Sequence, residues 1–326
     1  MASIAFPHLA RRHILSTTHT YSYAYHPPST PSLPTLLFLH GFPSSCYDWR
    51  HQIQFFSRQG YGVLAPDLLG YGGTSKPTDI NEYKSKKMAA EIIELLDHES
   101  INKVHAVGHD TGCTLLSRLA DYFPSRLLSC SFLDVPYSKP GQAFALAMVN
   151  SMTKQFLGFE RFGYIGFFVR DDAGRVLDQH SESFFTLFYP EDPDLWIDHV
   201  GPTGAIEDWL VQDKKAPFAP YISETERDIH QQILRNSHSS ALKWYNALVE
   251  NINAEDERAI NPELAMPVLM ICPQPTRLEL PGVEEQMRQV ASNLTFGRVS
   301  TAGHWMQLEA PDEINEALKA FFEENK

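Results

Sequence analysis

Apolar positions along the chain fall into two alternating patterns. Short, nearly continuous apolar runs recur at "TLLFLH" (Thr35 to His40), "GVLAPD" (Gly62 to Asp67), "KVHAVGHD" (Lys103 to Asp110) and "LLSCSFLD" (Leu127 to Asp134). They return at "PVLMIC" (Pro267 to Cys272) and, more weakly, "LTFGRVS" (Leu294 to Ser300). Runs of this kind predict strands buried on both faces. Helical periodicity lies between them. "SKKMAAEIIELLDHES" puts Met88, Ile92, Leu95 and Leu96 on one face, and "TLLSRLADYF" stops at Pro124, which cannot continue a helix. "DEINEALKAFFEE" closes the chain behind Pro311 and Asp312, a helix start. Strands alternating with helices predict an α/β fold with a mostly parallel sheet covered on both sides. Ahead of it, "YHPPSTPSLP" (Tyr25 to Pro34) is read as a proline-rich lead-in.

The alternation breaks over residues 138–259, which are rich in Phe, Tyr and Trp and helical in period. The expectation is a core of residues 1–137 and 260–326 carrying a helical cap of residues 138–259. The cap would lie over the C-terminal ends of the strands, where open α/β sheets place their sites.

Composition narrows the function. The 326 residues carry a formal charge of −13, which argues against nucleic acid or an anionic membrane as the partner. No apolar run reaches the ~18 residues of a membrane span. No apolar stretch follows Arg11-Arg12, so a secretory leader is not expected. Cys46, Cys113, Cys130 and Cys272 show no CxxC pairing and are expected to be buried free thiols, as in a cytoplasmic enzyme. A homodimer is compatible with all of this.

The chemistry centres on Gly108-His109-Asp110-Thr111-Gly112, placed between a strand and a helix. A nucleophile at such an elbow adopts strained angles, and the flanking small residues make room for the crowded turn. The following helix start holds a carboxylate ionised and aimed, so that it can attack carbon and form an ester. The plainer alternative is that Asp110 only caps the helix. His40-Gly41-Phe42-Pro43 also follows a strand end, where backbone N–H groups converge on developing negative charge. The donors would be the N–H groups of Phe42 and Thr111. His304, in a Gly-His-Trp loop after the last strand, is placed to activate water. A metal site on His105 and His109 is not expected, because four residues along a strand separate them by ~13 Å.

These motifs, in this order, resemble the epoxide hydrolases of the α/β-hydrolase fold, in a form like those of fungi. The resemblance rests on "HGFP", "DLLGYGGTSKP", "GHDTG", "LDVPYSKPG" and "AGHWMQLEAPDEIN", and covers nearly the whole chain. It implies a helical cap inserted after the sixth strand, with Asp110 as nucleophile and His304 as base. Two cap tyrosines would protonate the epoxide oxygen, matched here by Tyr164 in "RFGYIGFF" and Tyr245 in "LKWYNALV". Trp305 and His109 are expected to bind substrate, and neither cofactor nor metal is implied. The usual triad acid falls on Thr276, which is no carboxylate; Asp134 and Glu279 are the candidate replacements. A weakened base would favour a different outcome, a cyclase or isomerase acting on an epoxide or a polyketide- or terpenoid-like intermediate. A dehalogenase is disfavoured because Thr111 stands where a halide-binding Trp is usual, and a serine esterase is excluded at the elbow. A non-catalytic binder of small apolar molecules is the remaining reading.

Overall fold

The computed structural model describes residues 1–274, 277–278, 280–300 and 303–325. Eight strands form one sheet: β1 (Ala10–Ile14), β2 (Thr20–His26), β3 (Thr35–Leu39), β4 (Gly62–Pro66), β5 (Val104–His109), β6 (Leu127–Leu133), β7 (Val268–Cys272) and β8 (Leu294–Arg298). Their order is β1-β2-β4-β3-β5-β6-β7-β8. The pairs β1–β2 and β2–β4 are antiparallel and all others parallel. The six expected strands are β3 to β8. Ahead of the proline-rich lead-in lie two strands that no apolar run had marked, β1 and β2, which form an antiparallel pair. Tyr21, Tyr23 and Tyr25 alternate along β2 and are buried, and the hydroxyls of Tyr21 and Tyr23 donate to Glu91 and Glu99.

Successive residues of β3 serve opposite faces of the sheet, as a strand requires. Leu37 and Leu39 join a core that includes Met88, Ile92 and Leu95 of the helix Ser85–His98 and Leu115 and Leu119 of the helix Thr111–Tyr122. Leu36 and Phe38 join the other, with Ile53 and Phe56 of the helix Arg50–Arg58 and Leu318 and Phe322 of the helix Pro311–Glu324. The chain leaves β3 toward β4 on one side and β5 on the other. That switch point opens a crevice at the ends of β3 and β5, where both sequence motifs lie.

Between β6 and β7 the chain builds ten helices among the described residues, from Leu146–Leu157 to Ala254–Glu257. Phe42, on the loop after β3, packs into their aromatic core, 5.1 Å from Phe168, 6.0 Å from Phe184 and 5.4 Å from Tyr245 between ring centres. All four cysteines are buried free thiols. No helix among the described residues is long and apolar enough to cross a membrane.

Candidate active site

Asp110 follows β5 directly and adopts φ 52°, ψ −127°, a conformation costly for any residue but glycine. The turn is crowded: a Cβ on Gly112 would sit 2.2 Å from the Leu39 carbonyl oxygen. Gly41 is needed for a related reason, since its Cβ would meet Asp110 Oδ1 at 2.3 Å. Although Asp110 occupies the N-cap position, its side chain makes no capping hydrogen bond. It turns instead to the neighbouring loop, where the Phe42 N–H donates to Oδ1 at 2.8 Å. Burial raises the Asp110 pKa above the usual carboxylate value, partly offset by His304 and the N–H groups of Phe42 and Thr111. A carboxylate in this state is ionised less comfortably than in water, which makes it a better nucleophile.

His304 lies between two carboxylates. Its Nδ1 is 2.6 Å from Asp134 Oδ2, and its Nε2 is 3.9 Å from Asp110 Oδ2. With Nδ1–H donating to Asp134, the neutral ring keeps its Nε2 lone pair toward Asp110. Burial alone would lower the His304 pKa, but the bond and charge of Asp134, with the charge of Asp110, raise it overall. Burial likewise works to raise Asp134, and its bond to His304 prevails, holding the carboxyl below the usual range. Asp134 itself follows β6 at φ 66°, its N–H bonded to the Ile271 carbonyl of β7 at 2.9 Å.

Tyr164 and Tyr245 face the same cavity, their rings edge-to-face with centres 6.1 Å apart. Burial first, then the charge of Asp110, pushes the Tyr164 phenol up, and Tyr245 is raised in the same direction. Both are therefore neutral donors across the physiological range. The remaining walls of the cavity include Phe162, Phe188, Trp196 and Val200.

Two expected substrate contacts are not found. His109 is buried, its Nε2 2.8 Å from the His304 carbonyl and its Nδ1 3.2 Å from Gln307 Nε2. Burial lowers its pKa to about 3, so the ring is neutral, donating at Nε2 and accepting at Nδ1. It holds the backbone of His304 rather than substrate. Trp305 is buried too, donating from Nε1 to the Phe188 carbonyl and stacked on Tyr189 at 4.4 Å. It ties the histidine loop to the overlying helices. The Thr111 N–H donates toward the Asp110 carboxylate. Thr276 and Glu279 lie outside the described residues.

Sequence reasoning missed a polar cluster beneath the Phe42 loop. The Pro43 carbonyl accepts from Tyr189 Oη at 2.8 Å and from His230 Nε2 at 2.9 Å, and Asp48 Oδ2 lies 3.4 Å from the same hydroxyl. Asp48 is fully buried, and burial raises its pKa to about 6. It missed Arg161 as well, three residues before Tyr164 in the cavity wall. Among the described residues no group of three or more His, Cys, Asp or Glu side chains is arranged to hold a metal ion.

An elbow aspartate at the switch point of a parallel sheet, under a helical layer, defines an α/β hydrolase. Residues 34–311 match the alpha/beta hydrolase fold family, and the chain belongs to it. Within that family it is similar to proteins named epoxide hydrolases. It is 26% identical over 289 residues to bifunctional epoxide hydrolase 2 of Mus musculus, covering 87% of this chain and 51% of that one. The chain thus spans about half the length of that relative. It is also 26% identical over 336 residues to epoxide hydrolase srdG of Neurospora crassa, covering 95% of this chain and 94% of that one. The crystal structure of epoxide hydrolase A from Mycobacterium thermoresistibile superposes with a TM-score of 0.76 at 26% identity, over 96% of this chain and 97% of that one.

Proposed function

We propose that the protein is an epoxide hydrolase that opens its substrate through an ester on Asp110 and then hydrolyses that ester to a diol. The observation that carries the reading is the line Asp134–His304–Asp110, with 2.6 Å on one side of the imidazole and 3.9 Å on the other. In the first step an Asp110 oxygen attacks an epoxide carbon. The carbon–oxygen bond breaks, and Tyr164 or Tyr245 gives its proton to the departing alkoxide. In the second step water attacks the ester carbonyl carbon while His304 Nε2 takes the water proton, and Asp134 stabilises the imidazolium. The N–H groups of Phe42 and Thr111 hold the tetrahedral oxyanion. Collapse expels the diol oxygen, which takes the carboxyl proton, and the proton on His304 restores the tyrosinate. Residues 138–259 act as a cap that supplies both tyrosines and excludes water from an apolar epoxide, over a core of residues 1–137 and 260–326.

The test is turnover of an epoxide in ¹⁸O-labelled water, with product and enzyme both weighed by mass spectrometry. A diol, with ¹⁸O accumulating in the Asp110 carboxylate over repeated turnovers, is the expected result. A rearranged product lacking solvent oxygen would overturn the hydrolytic reading in favour of an isomerase or cyclase.

A further inference from the structure

The Phe42 N–H that donates to Asp110 belongs to a loop gripped by the helices above it. One residue on, the Pro43 carbonyl accepts from Tyr189 Oη at 2.8 Å and from His230 Nε2 at 2.9 Å, and those two atoms are 2.9 Å apart. Tyr189 ends the helix Ser181–Phe188 and His230 lies in the helix Glu224–Leu234, so the donors come from separate helices. Both side chains are more than nine-tenths buried. Burial lowers the His230 pKa to about 3, so the ring is neutral and carries one N–H. Beside a carbonyl oxygen that proton belongs on Nε2, which leaves Nδ1 as an acceptor. Nδ1 is buried and has no hydrogen-bond partner among the described residues, an arrangement that costs free energy. What the cost secures is a second donor. Tyr189 has a single proton and another acceptor in reach, Asp48 Oδ2 at 3.4 Å. His230 keeps the Pro43 carbonyl bonded whichever way that hydroxyl turns.

We infer that Tyr189 and His230 are positioning residues for the oxyanion donor: by holding the Pro43 carbonyl they keep the Phe42 N–H facing the Asp110 oxygen. The kinetic part of the inference rests on the epoxide hydrolase reading. Only the proline ring, which fixes φ, separates that carbonyl from Phe42, so little slack lies between the grip and the donor. The Phe42 ring is clamped as well, against Phe168 and Tyr245. In ester hydrolysis the oxyanion develops on the Asp110 oxygen that Phe42 meets, so a displaced donor slows that step most. Alkylation removes charge from Asp110 and depends on the donor less. Tyr189 reaches the other loop too. Its ring stacks at 4.4 Å on Trp305, the residue after His304, whose Nε1 donates to the Phe188 carbonyl. The hydroxyl of Tyr189 thus serves the Phe42 loop and its ring serves the His304 loop, and a variant that removes only the hydroxyl separates the two.

The experiment uses Tyr189→Phe, which keeps the ring on Trp305, His230→Leu, which removes the second donor, and His230→Gln, which keeps an N–H for the carbonyl. The first readout is the resting protein labelled with ¹⁵N-phenylalanine, the Phe42 amide being identified by its loss in Phe42→Leu. As a donor to a carboxylate its proton is expected downfield in the wild type. It moves upfield in Tyr189→Phe and further in the double variant Tyr189→Phe/His230→Leu. The second readout is a rapid-quench single turnover of an epoxide. De-esterification is expected to slow about tenfold in each single variant and about 10²-fold in the double, approaching the loss of an oxyanion donor. Alkylation is nearly unchanged, the pH midpoint that His304 sets for ester hydrolysis stays in place, and His230→Gln recovers most of the rate. A Phe42 amide that does not move overturns the inference. So does equal slowing of both half-reactions, or a displaced midpoint, since each would mean that the variants act through the fold or through His304. If no epoxide turns over, the hydrolase reading fails and the amide alone decides: an upfield move supports the positioning role, and an unmoved signal removes it.

Discussion

Replacing Asp134 by asparagine separates the two half-reactions. The variant keeps the shape of the side chain but loses the charge that His304 meets at 2.6 Å. In the proposed mechanism ester hydrolysis creates an imidazolium there, and ester formation does not. With about 4 Å between charge centres and an effective dielectric near 20, the lost attraction is about 4 kcal/mol. At 1.36 kcal/mol per decade that slows de-esterification about a thousandfold. Asparagine can also present its amide to Nδ1 and hold the wrong tautomer, which adds to the loss. Alkylation is expected to change less than tenfold, because Asp110, Phe42 and the two tyrosines are untouched. In a rapid-quench single turnover the Asp110 peptide should gain the mass of substrate in a burst near one equivalent, followed by slow diol release. The fluorescence of Trp196, whose ring centre lies 5.4 Å from His304, offers a continuous trace of the same two phases. A variant that turns over at the wild-type rate without accumulating ester would refute the assignment of Asp134. So would equal slowing of both steps.

Tyr164→Phe or Tyr245→Phe should slow alkylation about 10²–10³-fold, the cost of removing one donor to a developing oxyanion, and the double variant more; normal alkylation with slow ester release would contradict the role. Because the His304 pKa is raised above 6.5, the rate of ester hydrolysis should climb with pH through a midpoint above that value, and Asp134→Asn should move the midpoint down. The same shift stabilises the fold fully below pH 6.5, an effect lost as pH rises through the folded value. Asp48 acts in the same direction at lower pH: burial raises its pKa from 3.8 to about 6, so its contribution to stability falls as pH rises from about 4 through about 6. Two units correspond to about 3 kcal/mol. Asp48→Asn should therefore be more favourable at pH 7.5 than at pH 4 by up to that amount in urea unfolding, and an effect equal at both pH values would rule this out.

Strands β3 to β7 were legible because a strand buried on both faces leaves a continuous apolar run, whereas β8, a partly exposed edge strand, left a weaker one; all six were bounded to within one or two residues. β1 and β2 were not. β1 is an edge strand reading "ARRHI", with little apolar signal, and the alternating tyrosines of β2 run into the prolines that follow. Asp110, His304, Tyr164 and Tyr245 converge as their motifs suggested they could. His109 and Trp305 show the limit of that reasoning. Each is next to Asp110 or His304 in sequence, but neighbouring side chains on extended or turning backbone point different ways. One enters the protein behind His304 and the other enters the helical layer. Arg161 carried no motif at all, and its placement depends on how Asn150 and Thr153 fix the chain before Tyr164.

The plainest alternative for an aspartate at a strand end is helix capping, and the geometry weighs against it at both sites. Asp110 stands at an N-cap and makes no capping bond. No helix begins at Asp134, the next one starting at Leu146. Both residues nonetheless adopt positive φ, 52° and 66°, on adjacent parallel strands. Such conformations cost of order 1–3 kcal/mol each and persist only where the surroundings determine them. What the two have in common is His304, with one carboxylate on each ring nitrogen's side. The strand that supplies the Nδ1 partner matters less than where its end lies. Leu133 of β6 pairs with Ile271 of β7, and the Ile271 carbonyl holds the Asp134 N–H. An acid on the end of β6 and one just beyond β7 would therefore start from neighbouring strands about 4.8 Å apart, within one side chain's length of the same imidazole.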